Sequence, residues 1–414
     1  MGRPDYAPRL VEDRLAELFG ELPALLLTGP RAAGKTTTAR RHAKAVVQLD
    51  RPGEAAAFRA DPDAALRAQS EPLLLDEWQT VPEVLGAVKR AVDADSRPGR
   101  FLLTGSVRGE LEAETWPGTG RIVRLRMYGL TVAEIMRSTT GGGRFLERLG
   151  SGDPDAFALP AAVPDLAGYL DLALAGGYPE AVLRLSGDAR RAWLDGYLDQ
   201  LLTRDSEILG PRDPARLRRY FQALALNTAG LAEHKTLYEA AAINRKTAAA
   251  YDQLLANLFV LDFVPAWSSN RLSRLVRASK RYLVDPSLAA AALRLDTASV
   301  MRDGDLIGRL LDTFVAAQIR PELELTSATP TLFHLREKDG RHEIDLLAEL
   351  AATNIVALEV KATAAPNATD ARHLVWLRDT LGERFLAGAI MHTGPRPFVL
   401  ADRILALPIC TIWG

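Results

Sequence analysis

The sequence holds a single cysteine, Cys410. That excludes an internal disulfide and any cysteine-rich zinc site, and it suits a reducing compartment. Long apolar runs are missing as well. No uninterrupted stretch approaches the roughly 18 residues that span a bilayer, and the opening MGRPDYAPRLVEDRL contains no secretory apolar core. A cytoplasmic location without a membrane partner is therefore expected. An excess of one charge is also absent: 51 Lys and Arg face 52 Asp and Glu. Net charge thus offers no sign of a nucleic-acid or membrane partner, and any basic surface must be local. Lysine itself is scarce, at eight of the 51 basic residues. GC-rich coding accounts for that bias, but a site that needs a compact ammonium cannot accept the planar fork of arginine. Lysine positions therefore stand out, Lys35 and Lys361 among them.

What is present is the composition of a folded globular chain: 414 residues, 48% hydrophobic and 25% charged, enough for two to four domains. Helical apolar spacing over residues 9–20 is followed by strand candidates ALLLT (24–28), AVVQLD (45–50), PLLLDE (72–77), RFLLTGS (100–106) and RIVRLRM (121–127). Helical or Ala-rich segments lie between them, so the alternation predicts a parallel sheet covered by helices. Residues 141–165 turn to Gly, Pro and Asp and read as a linker or insertion. From 166 to about 262 the pattern is almost entirely helical. Its last part, residues 236–267, has the helix, tight turn, helix and strand order of a winged helix. The remainder mixes helices and strands. The expected boundaries are 1–140, 141–165, 166–267 and 268–414.

The segment Gly29, Pro30, Arg31, Ala32, Ala33, Gly34, Lys35, Thr36 fits the G-x-x-x-x-G-K-[ST] phosphate loop and lies between an apolar run and a helix start that includes Thr37. Glycines let backbone N–H groups curl around phosphate oxygens, Lys35 reaches the terminal phosphates, and the Thr36 hydroxyl is a Mg²⁺ ligand. PLLLDEW places Asp76 and Glu77 at the end of a buried strand, where an aspartate orders the metal shell and the adjacent glutamate activates water. RFLLTGS ends in Thr104 and Ser106, which either sense the terminal phosphate or are simply a polar strand exit. Arg121 and Arg108 are candidates for an arginine finger, against the alternative of plain surface cations; a finger supplied in trans would imply a homo-oligomer.

In INRKTAAAYDQLLANL, Arg245 and Lys246 fall in the first turn of a helix, where a recognition helix contacts DNA; a structural helical hairpin is the competing reading. Next, RLSRLVRASKR carries Arg271, Arg274, Arg277, Lys280 and Arg281 without an acid, and a strand bearing them would bind a phosphate backbone. Further on, EIDLLAEL and NIVALEVK predict two strands. Alternation allows Asp345 and Glu359 to meet across them with Lys361 beside Glu359, a pair of hard-oxygen ligands for Mg²⁺ next to an ammonium that orients water. Two ordinary amphipathic strands are the alternative.

The phosphate loop, LLLDE and LLTGS in that order resemble an AAA-type ATPase, over about residues 20–135. The Asp, spacer, Glu-x-Lys arrangement resembles the core of the restriction-endonuclease and Holliday-resolvase nuclease superfamily, whose members also place an acid on a preceding helix; Asp312 stands there, where a glutamate is usual. Adding GGYPE (176–180), TRDSEIL (203–209) and KRYLVDPSL (280–288), the whole chain resembles a bacterial and archaeal family of AAA-type ATPases with a C-terminal domain of unknown function. The resemblance implies an α/β multidomain fold: a P-loop core with a parallel sheet, a central helical unit ending in a winged helix, and a restriction-endonuclease-like C-terminal domain. It implies ATP and Mg²⁺ as cofactors, with Asp312, Asp345 and Glu359 as further metal ligands. The expected function is a Mg²⁺-dependent ATPase acting on DNA, with possible cleavage. The alternative is a nucleotide-controlled switch whose nuclease-like domain is inactive and binds a partner.

Overall fold

The computed structural model describes residues 6–106, 120–138, 144–205, 213–231, 234–270, 274, 277–325, 330–337, 341–350 and 354–414. They divide into two compact units. One is Val11–Gly129 with Gln253–Val260; the other is the N-terminal stretch to Leu10 with Leu130–Asp252 and Leu261–Gly414. The limits of these units do not coincide with the boundaries expected at 140/141, 165/166 and 267/268. Among the described residues no helix is long and apolar enough to cross a membrane.

In the first unit the apolar runs become strands with apolar residues on both faces. They are β1 (Ala24–Thr28), β2 (Ala45–Gln48), β3 (Leu73–Asp76), β4 (Phe101–Gly105) and β5 (Val123–Arg126), all parallel, in the order β2-β3-β4-β1-β5. Helices cover both sides of such a sheet, which is why its central strands read as unbroken apolar runs. Alternation divides them: Leu25, Leu27, Leu74 and Leu102 pack with Val11, Leu15 and Phe19 of α1 (Val11–Glu21). Leu26, Leu73, Leu75 and Leu103 face the opposite core, which includes Phe58 of α3 (Pro52–Ala60), Leu66 of α4 (Pro62–Arg67) and Val84 and Val88 of α5 (Val84–Ala94). The helix α2 (Lys35–Arg40) follows the loop after β1.

In the second unit the helices Leu166–Ala175, Gly187–Gln200 and Pro214–Leu226 pack around Ser287–Leu293, whose SLAAAAL sequence allows close approach. Asp285, just before that helix, is buried and accepts hydrogen bonds from the Gly177 N–H at 2.8 Å and the Ser287 hydroxyl at 2.6 Å. Gly176 has φ of +69°, and a Cβ there would collide with Asp285 and Ser287. The GGYPE and VDPSL segments therefore meet across more than a hundred residues. The helices His234–Ala240 and Arg245–Asn257 flank a turn and are followed by the antiparallel pair β6 (Leu261–Val264) and β7 (Lys280–Leu283). Residue Asp252 of the second helix belongs to this unit and its neighbour Gln253 to the other.

The same unit holds a six-stranded mixed sheet of β8 (Thr331–Arg336), β9 (Glu343–Leu350), β10 (Asn354–Lys361), β11 (Phe385–His392), β12 (Phe398–Ala401) and β13 (Ile404–Pro408). Its order is β12-β13-β11-β10-β9-β8, with β10, β11 and β13 parallel and the outer pairs antiparallel. Ile355 and Ala357 of β10 pack with Leu374 and Leu377 of the helix Arg372–Leu381, and Val356 lies beside Gly150 of the helix Phe145–Ser151. The helix Gly304–Ile319 also packs against β10. Cys410, the one cysteine, is buried.

Leu103 is fully buried in the middle of β4, whereas Val123 at the sheet edge is 37% exposed. Leu103→Ala should therefore lower the unfolding free energy by about 2–5 kcal/mol, and Val123→Ala should change it by no more than about 0.5 kcal/mol. Urea denaturation followed by circular dichroism measures both.

Candidate nucleotide site and acidic cleft

The carboxyl ends of β1, β3 and β4 bring one polar group together. β1 is registered with β4, Leu27 opposite Thr104, and β3 with β4, Leu75 opposite Leu103. That register sets the last residue of β3, Asp76, level with Thr104, while the loop after β1 curls over both. Gly29 has φ of +148°, and a Cβ there would collide with the Met127 carbonyl oxygen. Ala32 and Gly34 are also left-handed, at φ +57° and +93°. These turns leave the first N–H groups of α2 without helical partners, the property that makes such loops anion cradles.

Inside the loop the Lys35 ammonium is buried and donates to the carbonyls of Gly29 at 3.0 Å and Pro30 at 2.7 Å. Burial lowers its pKa to about 8, against the opposing pull of the Glu77 and Asp76 charges. The Thr36 hydroxyl donates to Asp76 Oδ1 at 2.7 Å. Thr104 donates to the same oxygen and accepts from the Glu77 N–H at 3.3 Å. Glu77 is left-handed at φ +54°, and its carboxylate is held by the Gln79 amide and the Ser106 hydroxyl. Thr36 and Asp76 thus present adjacent hard oxygens of the kind Mg²⁺ takes, so the residues fit the ion. Arg121 lies on the surface of this unit, its guanidinium 2.8 Å from Asp93.

A second polar group lies in the other unit, in a cavity of about 610 Å³ lined by Asp312, Asp345, Glu359 and Lys361 with Lys280 and His373. Asp312 comes from the helix Gly304–Ile319, Asp345 from β9, and Glu359 and Lys361 from β10. The antiparallel register runs to Leu346 opposite Leu358, so the next step sets Asp345 against Glu359. At the centre is Lys280, the first residue of β7, 2% exposed, with its ammonium 2.9 Å from Asp345 Oδ1 and 3.3 Å from Asp312 Oδ2. Tyr282 donates to Asp312 Oδ1 at 3.0 Å, and the Val360 N–H donates to Asp345 Oδ2 at 3.0 Å. The Arg320 guanidinium lies 4.9 Å from the centre of the Tyr282 ring. Lys361 donates to Glu359 Oε1 at 2.8 Å, while Glu359 Oε2, which is buried, has no hydrogen-bond partner.

Burial dominates the electrostatics of this cleft. It would lower the Lys280 pKa, but Asp312 and Asp345 outweigh it and hold that ammonium well above the ordinary lysine value. Burial pushes Glu359 up to about 8, with the Asp345 charge adding to it, and Asp312 up to about 7 despite Lys280. Asp345 goes the other way: burial is overcome by Lys280 and by the Val360 N–H, so its pKa falls below the usual value.

Residues 21–136 match the family described as AAA domain, residues 166–299 a domain of unknown function (DUF8612) and residues 307–412 a domain of unknown function (DUF4143). The chain carries an AAA-type P-loop ATPase domain. The match to residues 166–299 extends past the expected boundary at 267/268, in keeping with Ser287–Leu293 packing among the earlier helices. "Uncharacterized protein Mb2031c" of Mycobacterium bovis and "Uncharacterized protein Rv2008c" of Mycobacterium tuberculosis are each 28% identical over 402 residues, 95% of this chain and 82% of the relative. Among solved structures, the Walker-type ATPase PABY2304 of Pyrococcus abyssi is 18% identical with a TM-score of 0.42, covering 71% of this chain and 97% of that one. The Aeropyrum pernix ORC1 protein in complex with DNA is 16% identical with a TM-score of 0.29, covering 72% and 95%. Both scores are too low to define the fold.

The structure brings Lys35, Thr36, Asp76, Glu77 and Thr104 together, and separately Asp312, Asp345, Glu359 and Lys361. Two expectations need correction. No single strand carries the basic run: β7 begins only at Lys280, and Arg271, like Arg108, lies outside the described residues. Arg274 is tied to Glu349 at 2.6 Å and packed over Phe333, Lys280 is enclosed by the two aspartates, and Arg281 is 3.2 Å from Asp252. These three are committed to internal acids rather than offered to a phosphate backbone. The second correction concerns metal. A divalent ion needs several converging hard oxygens, yet among the described residues no three His, Cys, Asp or Glu side chains converge in that way. The Lys280 ammonium stands between Asp312 and Asp345 instead, so the expected metal roles of Asp312, Asp345 and Glu359 do not fit. Lys280 and Tyr282 were missed as members of this cluster, although the scarcity of lysine was a signal for the first.

Because only glycine fits at position 29, Gly29→Ala should displace the loop. Strain of about 1–3 kcal/mol corresponds to a roughly five- to 150-fold loss of ATP affinity, measurable by titration with a fluorescent ATP analogue.

Proposed function

We propose that the protein is a Mg²⁺-dependent ATP hydrolase that works as a nucleotide-controlled switch, its C-terminal domain binding a partner without cutting. The observation that carries the hydrolase reading is the convergence of Lys35, Thr36, Asp76, Glu77 and Thr104 at the ends of three adjacent strands. The loop N–H groups and Lys35 bind the phosphates, Lys35 leaving the Gly29 and Pro30 carbonyls for the ligand. Thr36 and Asp76 hold Mg²⁺, which neutralises charge developing on the phosphate oxygens when bound. Glu77 takes the proton from the attacking water, and Thr104, sharing a hydrogen bond with Asp76 and one with the Glu77 backbone, registers the terminal phosphate. The switch reading is supported by Lys280 occupying the acidic cleft, which withholds the metal that cleavage by a nuclease-like domain would need. The winged-helix and restriction-endonuclease-like assignments belong to this proposal as well. Arg121 as a finger for a neighbouring copy would require release from Asp93.

Glu77→Gln should retain ATP binding and lower turnover by about 10²- to 10⁴-fold, whereas Lys35→Ala should lose binding and turnover together. Phosphate-release assays paired with ATP-binding titrations separate the two; unchanged turnover in both variants would sink the site assignment.

A DNA-acting role is the second reading. It is favoured by Arg245 and Lys246, which are exposed at the start of a helix that follows a tight turn and is capped by Asn244 accepting from Thr247 at 2.8 Å. Arg245→Ala with Lys246→Ala should weaken duplex binding at every sequence tested and flatten its salt dependence by about one unit of slope for each phosphate no longer neutralised. Fluorescence anisotropy over a salt series, with ATPase rates measured with and without DNA, checks it. Identical binding by the wild type and the double variant would remove this helix from the DNA surface.

A further inference from the structure

The six-stranded sheet has two outer strands, and one of them is covered. Along β8 the His334 N–H donates to the Pro265 carbonyl at 3.0 Å and the His334 carbonyl accepts from the Trp267 N–H at 2.6 Å, so the segment after β6 closes that edge. β12, at the opposite end, pairs with β13 alone among the described residues. It also carries apolar surface of the kind a lone edge ordinarily avoids. Val399 is 60% and Phe398 38% exposed; Val399 is the most exposed of the large hydrophobic residues described, and the two are the only adjacent pair among the exposed ones. Single apolar side chains on a surface are ordinary. Two in succession on a strand whose outward N–H and C=O groups lack a neighbouring strand form a template for another strand.

The charges flanking β12 select that partner. In an antiparallel copy related by a two-fold axis at Val399, each residue faces the one equally far beyond the axis: Phe398 faces Leu400, and Arg396 faces Asp402. Arg396 is exposed, and the Asp402 side chain is 78% exposed with its neighbour Arg403 at 3.4 Å. The pair recurs on the other side of the axis, so one surface is complementary to itself. Moving the axis to Leu400 would set Phe398 against Asp402 and Arg396 against Ile404, which leaves both charges unmatched. We propose that β12 is a dimer interface between two copies of this chain, joined antiparallel about Val399 into one continuous sheet. Pro397, which has no N–H, and the irregularity between Val399 and Ala401 keep the shared ladder short. The dimer is therefore weak and concentration-dependent, in the size class of transient contacts. Because β8 is closed, the pairing stops at two copies instead of growing into a fibre.

Sedimentation equilibrium of the nucleotide-free full-length chain over a concentration series tests this. Wild type should pass from monomer to dimer below about 100 μM, a range in which transient contacts are populated. Val399→Lys, which sets two ammonium groups face to face on the axis, should weaken dimerisation at least about tenfold without changing the melting temperature of the dilute, monomeric chain. Arg396→Asp and Asp402→Arg should each weaken it, and the two together should restore it. Val399→Cys should be trapped as a disulfide-linked dimer under mild oxidation, because directly opposed residues of antiparallel strands lie within disulfide reach. Leu226→Cys, of similar exposure at 56%, should not. A wild type that stays monomeric through that range would overturn the proposal, as would a dimer indifferent to Val399→Lys or a Val399→Cys chain that cross-links no faster than Leu226→Cys. The readout is association without nucleotide, so its failure leaves the ATP-hydrolase reading untouched.

Discussion

The ammonium of Lys280, enclosed between Asp312 and Asp345, is the contact on which the larger unit turns. It joins the first residue of β7 to the helix Gly304–Ile319 and to β9, three elements that share no local sequence relation. Enclosing three ionisable groups removes each from water, and in such a cluster deleting one partner typically costs about 3–5 kcal/mol because the others are left uncompensated. The neighbouring residues extend the tie. Arg281 reaches Asp252 on the helix Arg245–Asn257, where Tyr220 also donates at 2.7 Å, and Tyr282 reaches Asp312. Three successive residues of β7 therefore connect the helix-turn-helix segment, the long helix and the mixed sheet.

The ATPase domain is governed by a different constraint, the order of its parallel strands. With β4 between β1 and β3, the Thr104 hydroxyl on the middle strand shares Asp76 Oδ1 with the Thr36 hydroxyl at the start of α2. Glu77 follows at once, turned into a left-handed conformation so that its backbone N–H meets Thr104 while its carboxylate meets Gln79 and Ser106. Lys35, Thr36, Asp76, Glu77 and Thr104 are thus gathered at the ends of these strands. The lowered pKa of Lys35 has the same origin as the raised one of Glu359: burial disfavours charge of either sign. The difference is what surrounds each. Lys35 has only neutral carbonyls at hydrogen-bond distance, whereas Lys280 has two carboxylates.

Much of the local structure was legible. ALLLT, EIDLLAEL and NIVALEVK are β1, β9 and β10 to the residue, because apolar runs and period-two alternation are local properties that neighbouring residues enforce. The phosphate loop was legible for the same reason, since its glycines, lysine and threonine act within eight consecutive positions. The acids of the cleft were also found, Asp345 and Glu359 by alternation along β9 and β10, and Asp312 only through the resemblance to a nuclease superfamily that places an acid on a preceding helix. The basic run before β7 misled. Read in isolation, RLSRLVRASKR has no acid to pair with and suggests a solvated or phosphate-binding strand, and nothing within it reveals that Glu349, Asp252, Asp312 and Asp345 approach from elsewhere.

The sequence by itself determined the strand candidates, the phosphate loop and the facing of Asp345 and Glu359, since each follows from short-range sterics and apolar patterning. Only the tertiary structure decided that Lys280 is an interior ion rather than a surface one, and with it that the cleft holds an ammonium where a metal was expected. The reason is electrostatic. The charge state and partner of a buried group depend on which opposite charge lies within a few ångströms, and here those charges lie 32 and 65 residues further along the chain.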